Sequence, residues 1–211
     1  MAHKLPRGLY ALLDDAVRPG LPLLEAVRAA IAGGARVLQL RLETTADRPA
    51  LELVRGAVAL ARPAGVAVIV NDRVDLALAG AADGVHLGAD DLPVEVARRL
   101  LGPGALVGAT TRSLADIEAA RAAGADHVGL GPIFATTTKA VPHAALGLAG
   151  FAAIARASPL PVVGIAGITL ETIGGVAASG AWAAAVAGDL LRADDIATRA
   201  RALQQAFFAA T

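Results

Sequence analysis

Ala123-Gly-Ala-Asp-His-Val-Gly-Leu130 holds the end of a helix and the start of a buried strand within eight residues. A glycine among small residues suits a helix C-cap, because it takes the left-handed conformation without a Cβ penalty. The run that follows is apolar on successive positions, as in a strand covered on both faces. The same arrangement recurs at Gly33-Gly-Ala-Arg36, Gly80-Ala-Ala-Asp83 and Ser179-Gly-Ala-Trp182. Such recurrence predicts equivalent structural units.

Working outward, short apolar runs predict strands at Leu9–Leu13, Arg36–Leu40, Val66–Val70, Gly84–Leu87, Ala105–Gly108, His127–Leu130, Pro161–Ile165 and Ala183–Val186. Helical spacing lies between them, for example at Leu23–Ala32, Ala50–Ala61, Pro93–Leu101, Leu114–Ala122 and Asp194–Phe208. About eight strand–helix units are the number in a (β/α)8 barrel. The competing fold is a doubly wound open sheet. Its glycine-rich turn is missing after the first strand, where the chain reads Asp14-Asp-Ala-Val-Arg-Pro-Gly20. The predicted fold class is therefore α/β, a (β/α)8 TIM barrel, with residues 1–211 as one compact domain.

Composition narrows the function. Of 211 residues, 55% are apolar and 18% charged, which excludes a disordered chain. Nineteen Lys and Arg balance 19 Asp and Glu, so no strongly basic nucleic-acid surface is expected. The absence of cysteine excludes disulfide scaffolds, zinc–thiolate sites and thiol catalysis. Mean hydropathy is +0.58, yet Gly, Pro and charges break each apolar run short of membrane-spanning length. The first residues do not read as a signal peptide. The expectation is a soluble cytoplasmic protein with small-molecule partners and no membrane or nucleic-acid partner. A homo-oligomer stays open, because an apolar helix face packs equally well on a second copy or on its own barrel.

Chemistry in a barrel sits on the loops after the strands, and the polar residues gather there. They are Gln39, Arg41 and Glu43 after the second strand, Asn71 and Asp72 after the third, and Asp90 and Asp91 after the fourth. Thr110, Thr111 and Arg112 lie around the fifth, and Thr136-Thr-Thr-Lys139 follows the sixth. Structural roles account for several of these taken singly. Asn71-Asp72 suits a turn, Asp90-Asp91 a helix cap near Pro93, and His86 and His127 suit packing rather than base catalysis. Together they form two opposed charge sets. Asp72 and Asp91 could hold a hard cation such as Mg2+. Arg41, Lys139 and the threonine hydroxyls could hold phosphate oxygens, with Gly164–Gly167 as a backbone cradle. Cation and donors together would stabilise a diphosphate leaving group.

The sequence resembles the thiamine phosphate synthase (thiamine-phosphate pyrophosphorylase) family over nearly its whole length. The resemblance rests on Gln39-x-Arg41, Asn71-Asp-Arg-Val-Asp-Leu-Ala-Leu78, Asp83-Gly-Val-His-Leu-Gly88 with Asp91, Ala125-Asp-His-Val-Gly-Leu-Gly-Pro-Ile-Phe134, Thr136-x-Thr-Lys139 and Gly164-Ile-Ala-Gly-Ile168. It implies a transferase that joins hydroxymethylpyrimidine diphosphate to a thiazole phosphate, giving thiamine phosphate and diphosphate by dissociative departure of the diphosphate. It implies Asp72 and Asp91 as Mg2+ ligands. Arg41, Asn71 and Lys139 would bind diphosphate, and Gln39 would meet the pyrimidine. Thr110 keeps the hydroxyl of the family's usual serine; Arg41, Lys139 and Thr110 would be the catalytic set. Thr136 and Thr138 would meet the thiazole phosphate, whose phosphate would rest on backbone at Gly167, Ala187 and Gly188.

Four departures stand out. Glu43 replaces the family's usual lysine, which reverses the local Coulomb term, so Glu43 either turns away or recruits metal. Ala166 replaces a glycine, Asp189 stands beside the expected phosphate site, and Arg112 replaces a common His or Asn. Two other readings follow from them. One is a thiazole tautomerase-like isomerase, against which Arg112 counts, since a guanidinium shuttles protons poorly. The other is a non-catalytic, ligand-binding paralogue.

Overall fold

The structure, a computed structural model, describes residues 5–136 and 144–211. Eight parallel strands close in sequence order: β1 (Gly8–Asp14), β2 (Val37–Arg41), β3 (Ala67–Asn71), β4 (Gly84–Leu87), β5 (Leu106–Thr111), β6 (His127–Leu130), β7 (Val162–Gly164) and β8 (Ala183–Val186), which pairs back onto β1. The described helices are α1 (Leu23–Ala32), α2 (Asp47–Ala61), α3 (Val74–Ala79), α4 (Val94–Leu101), α5 (Leu114–Ala122), α6 (Gly147–Ala157), α7 (Ile173–Ala178), α8 (Gly188–Leu191) and α9 (Ile196–Ala209). The barrel expectation holds. None of the described helices is long and apolar enough to cross a membrane.

Two cores follow from strand alternation. Leu9, Ala11, Leu13, Leu38, Leu40, Val68, Val70, Val85 and Val107 point outward and pack with buried helix residues such as Val27, Val54, Ile117 and Leu203. The opposite parity fills the barrel: Tyr10, Val37, Ile69, Leu106, Val163 and Ala183 form the inner cluster. Asp14, Gln39, Arg41, Asn71, His86 and Thr110 share that inner parity, which directs them into the barrel and its mouth.

The repeated helix exits are one device. Gly34, Ala81, Gly124 and Gly180 all have positive φ, at 91°, 54°, 97° and 100°. The next residue's N–H reaches back five positions in each: Ala35 to Ala30, Ala82 to Ala77, Ala125 to Ala120 and Ala181 to Val176. This is the Schellman pattern. After two of these exits an aspartate stitches the neighbouring strand. Asp83 accepts from the Val68 N–H and Asp126 from the Val107 N–H, each at 2.8 Å.

Ala81 is the one non-glycine among the four, and it is exposed. Its methyl group opposes the left-handed conformation. Ala81→Gly should therefore stabilise the fold by roughly 1 kcal/mol, read as a raised urea midpoint at unchanged m-value. A destabilised variant would show that the turn carries no such strain.

Candidate functional site

Parallel strands in a closed barrel open their C-terminal ends onto one face. Gln39 and Arg41 lie in β2, Asn71 ends β3 with Asp72 after it, and Thr110 lies in β5. Asp91 follows β4, Thr136 follows β6, Gly167 follows β7, and Ala187 and Gly188 follow β8. All these sites therefore gather at one mouth. Thr138 and Lys139 lie outside the described residues.

Arg41 is the centre of charge. The register sets Asp14 of β1 directly opposite Arg41 of β2. The Arg41 Nη1 donates to Asp14 Oδ2 at 2.6 Å, and Nη2 donates to Glu43 Oε1. Arg41's side chain is 7% exposed and Asp14's 0%, whereas Glu43's is 46% exposed. Arg41 thus has a closed side anchored on Asp14 and an outer side met by the half-exposed Glu43. Glu43 does not turn away, contrary to one expectation; it pairs with the guanidinium two residues before it. The sequence reading missed Asp14 and Asp15. The available signal was two adjacent acids at the end of an inward-reading strand. Asp15 pins the loop after β2, accepting from the N–H groups of Glu43 at 3.1 Å and Thr44 at 3.0 Å, and from Thr45 Oγ1 at 2.7 Å. Burial pushes the Asp15 carboxyl up, but the bonds from Thr45, Thr44 and Glu43 outweigh it and hold it below the usual range.

The acidic side is built from adjoining loops. Asp72 adopts φ 60°, and its N–H donates to His86 O at 2.8 Å, which ties it to β4. Asp91 Oδ2 accepts the Gly88 N–H at 2.6 Å. The N-cap of α4 is Pro93, with no side-chain cap, so Asp91 is not occupied there as the structural alternative expected. Among the described residues, no group of three or more His, Asp and Glu forms a ready metal cage. Two carboxylates on neighbouring loops fit Mg2+, which keeps several waters and shares substrate phosphates.

Beneath the mouth the barrel is polar. Gln39 Nε2 donates to Tyr10 OH at 2.9 Å, and His86 Nε2 lies 3.0 Å from Thr110 Oγ1. His86 and His127 stand 5.8 Å apart between ring centroids. Their room is made by glycine. A Cβ at Gly108 would fall 2.3 Å from His127 Nε2 and 2.5 Å from His86 Nδ1. Desolvation pushes His127 down to about 3, with His86 adding to the effect. It pushes His86 down to about 4 against the attraction of Asp91. Both rings are neutral at neutral pH, which agrees with packing rather than base catalysis.

The remaining rim is backbone. Ala166 and Gly167 both take positive φ, at 71° and 70°. A Cβ at Gly167 would lie 2.4 Å from Ala135 O and 2.7 Å from Phe134 Cβ, so only glycine fits against the segment leading to Thr136. Ala166 bears its methyl in a conformation that glycine would accept without strain. Asp189 pairs with Arg199, Oδ2 to Nη1 at 3.3 Å, so its charge is met from α9. A cavity of about 350 Å³ borders Gly188 and is lined by Thr169, Asp189, Arg192, Ala193 and Arg199. Arg112 donates from its backbone N–H to Asp116 at 2.9 Å and from Nη2 to Ala144 O at 3.5 Å.

Comparison with known proteins converges with this geometry. Residues 9–190 match the family model described as thiamine monophosphate synthase. The thiamine-phosphate synthase of Myxococcus xanthus is 55% identical over 203 residues, covering 96% of this chain and 93% of that protein. That of Anaeromyxobacter dehalogenans is 52% identical, covering 95% and 87%. Among solved structures, thiamine phosphate pyrophosphorylase from Pyrococcus furiosus superposes with a TM-score of 0.86 at 32% identity, covering 96% of each chain.

The buried His127 makes stability pH-dependent. An unfolded histidine takes up its proton near pH 6.5, whereas the folded one waits until about 3. His127 therefore contributes fully above pH 6.5, and that contribution is lost as pH falls below it. Unfolding free energies from urea titrations between pH 7.5 and 4.5 should fall less steeply in His127→Leu than in the parent, by up to about 1.4 kcal/mol per pH unit. Parallel slopes would show that His127 titrates normally in the fold.

Proposed function

The chain belongs to the thiamine monophosphate synthase family, and from that premise we propose how its residues perform the family's reaction. It is a transferase with thiamine-phosphate synthase function, an alkyl transfer that releases diphosphate. In our reading the substrates are hydroxymethylpyrimidine diphosphate and a thiazole phosphate, and the products are thiamine phosphate and diphosphate. The reaction takes place in the cytoplasm on a single barrel built from residues 1–211.

The chemistry asks little covalent work of the protein. The pyrimidine-methyl carbon loses diphosphate, and the thiazole nitrogen takes its place. Arg41, Asn71 and Lys139 bind the departing oxygens, and Gln39 orients the pyrimidine from below, where Tyr10 holds its amide. Thr110, steadied by His86, presents a hydroxyl at the mouth. Thr136 and Thr138, with the backbone at Gly167, Ala187 and Gly188, seat the thiazole phosphate. Asp72 and Asp91 would hold Mg2+, which supplies charge neutralisation to the diphosphate when bound. The walls keep water from a reactive carbon, and the two bound partners are held for in-line capture.

The observation that carries this reading is Arg41. A guanidinium anchored on its buried side by Asp14, and met on its outer side only by the half-exposed Glu43, is a preorganised anion receptor at the same mouth as the loops that bear Asp72 and Asp91. The isomerase reading gains nothing, because Arg112 is engaged with backbone and offers no proton shuttle.

Purified protein given both substrates and Mg2+ should form thiamine phosphate, and chelation should abolish it. Asp72→Asn should lower turnover at least about tenfold with little change in thermal midpoint. Ligand binding without product would favour the paralogue reading, and unchanged turnover in Asp72→Asn would remove that carboxylate from the site.

A further inference from the structure

Arg41's outer nitrogen is already taken by an anion from this chain. Nη1 faces Asp14, whose side chain is wholly buried, and Nη2 faces Glu43, whose side chain is half open to solvent. Two carboxylates against one guanidinium leave the cluster with net charge −1, on the side from which an anionic ligand approaches. Glu43 is not swinging on a loose loop. Its own N–H and that of Thr44, with the Thr45 hydroxyl, are fastened to the Asp15 carboxylate. The carboxylate is thus delivered to Nη2 by a fixed backbone.

We propose that Glu43 is a tethered competitor for the diphosphate-binding face of Arg41, and so sets how tightly this chain holds its diphosphate substrate and product. This rests on the reading of Arg41 as a diphosphate ligand. Asp14 occupies Nη1 and Glu43 occupies Nη2, so diphosphate arriving from the mouth must displace Glu43 from Nη2 or share that nitrogen with it. An anion fixed beside its partner acts at a high effective concentration and subtracts directly from the affinity of any rival. After the reaction the same carboxylate returns to Nη2 and helps to expel the inorganic diphosphate. Asp14 plays the opposite part: being enclosed, it stays on Nη1 and keeps the fork aimed.

The test is calorimetric titration of inorganic diphosphate with magnesium into the parent chain, Glu43→Gln, Arg41→Gln and the double variant. Glu43→Gln should bind diphosphate about fivefold to tenfold more tightly, and product inhibition by diphosphate should strengthen by a similar factor. Arg41→Gln should weaken binding at least about tenfold. In the Arg41→Gln background, Glu43→Gln should have almost no further effect, because the competition runs through that one guanidinium. An unchanged or weaker affinity in Glu43→Gln, with Arg41→Gln still impaired, would overturn the competition. A gain that persists in the double variant would also overturn it and point to diffuse charge repulsion. Unimpaired binding in Arg41→Gln would instead overturn the reading of Arg41 itself.

Discussion

A guanidinium enclosed at the mouth of a barrel is tolerable only if its charge is met, and here Asp14 meets it. Arg41 and Asp14 are paired by strand register, joined at 2.6 Å and closed off from solvent. Removing one partner of such a pair strands the other, which typically costs about 3–5 kcal/mol. The pair therefore both fixes β1 against β2 and aims the cation. The remaining mouth is arranged around that fixed point, with acids on the β3 and β4 loops, a hydroxyl on β5, and glycine-bearing backbone after β7 and β8.

The interior below the mouth obeys a second constraint, volume. Two imidazoles occupy a layer where a barrel usually packs branched aliphatic side chains. They fit because Gly108 and Gly129 present no side chain to them. His127 has no hydrogen-bond partner for either ring nitrogen among the described protein groups. Burial keeps the ring uncharged, which spares the barrel an unpaired cation. His86 is the link between layers: its Nε2 meets Thr110, its main-chain carbonyl takes the Asp72 N–H, and its charge state feels Asp91.

The fold was legible because the local signals agreed with one another. Apolar runs such as His127–Leu130 and Ala183–Val186 coincide with β6 and β8, and Leu23–Ala32 and Leu114–Ala122 with α1 and α5. The repeated helix exits foretold equivalent units, although in one of them the left-handed residue is Ala81 and not the glycine before it. The short helices α3, α7 and α8 carry too few turns for a clear periodicity. For the site, residue types at strand ends pointed to Arg41, Asp72 and Asp91, since chemistry collects there in any barrel. What could not be read was pairing. Nothing in Asp14-Asp15 announces that one acid anchors Arg41 while the other pins a loop. Nor does Glu43 announce that it folds back on Arg41 or Asp189 that it is met by Arg199. Those are register and loop geometry, which depend on contacts distant in sequence.

The central claim is that Asp14 holds Arg41 as a preorganised anion receptor facing the carboxylates of the neighbouring loops. A crystal structure with magnesium and inorganic diphosphate tests it most directly. Diphosphate oxygens on the outer side of Arg41, with the metal between them and Asp72 and Asp91 and the Asp14 contact intact, would bear it out. Diphosphate seated away from Arg41, or a guanidinium that has left Asp14 to reach it, would contradict it.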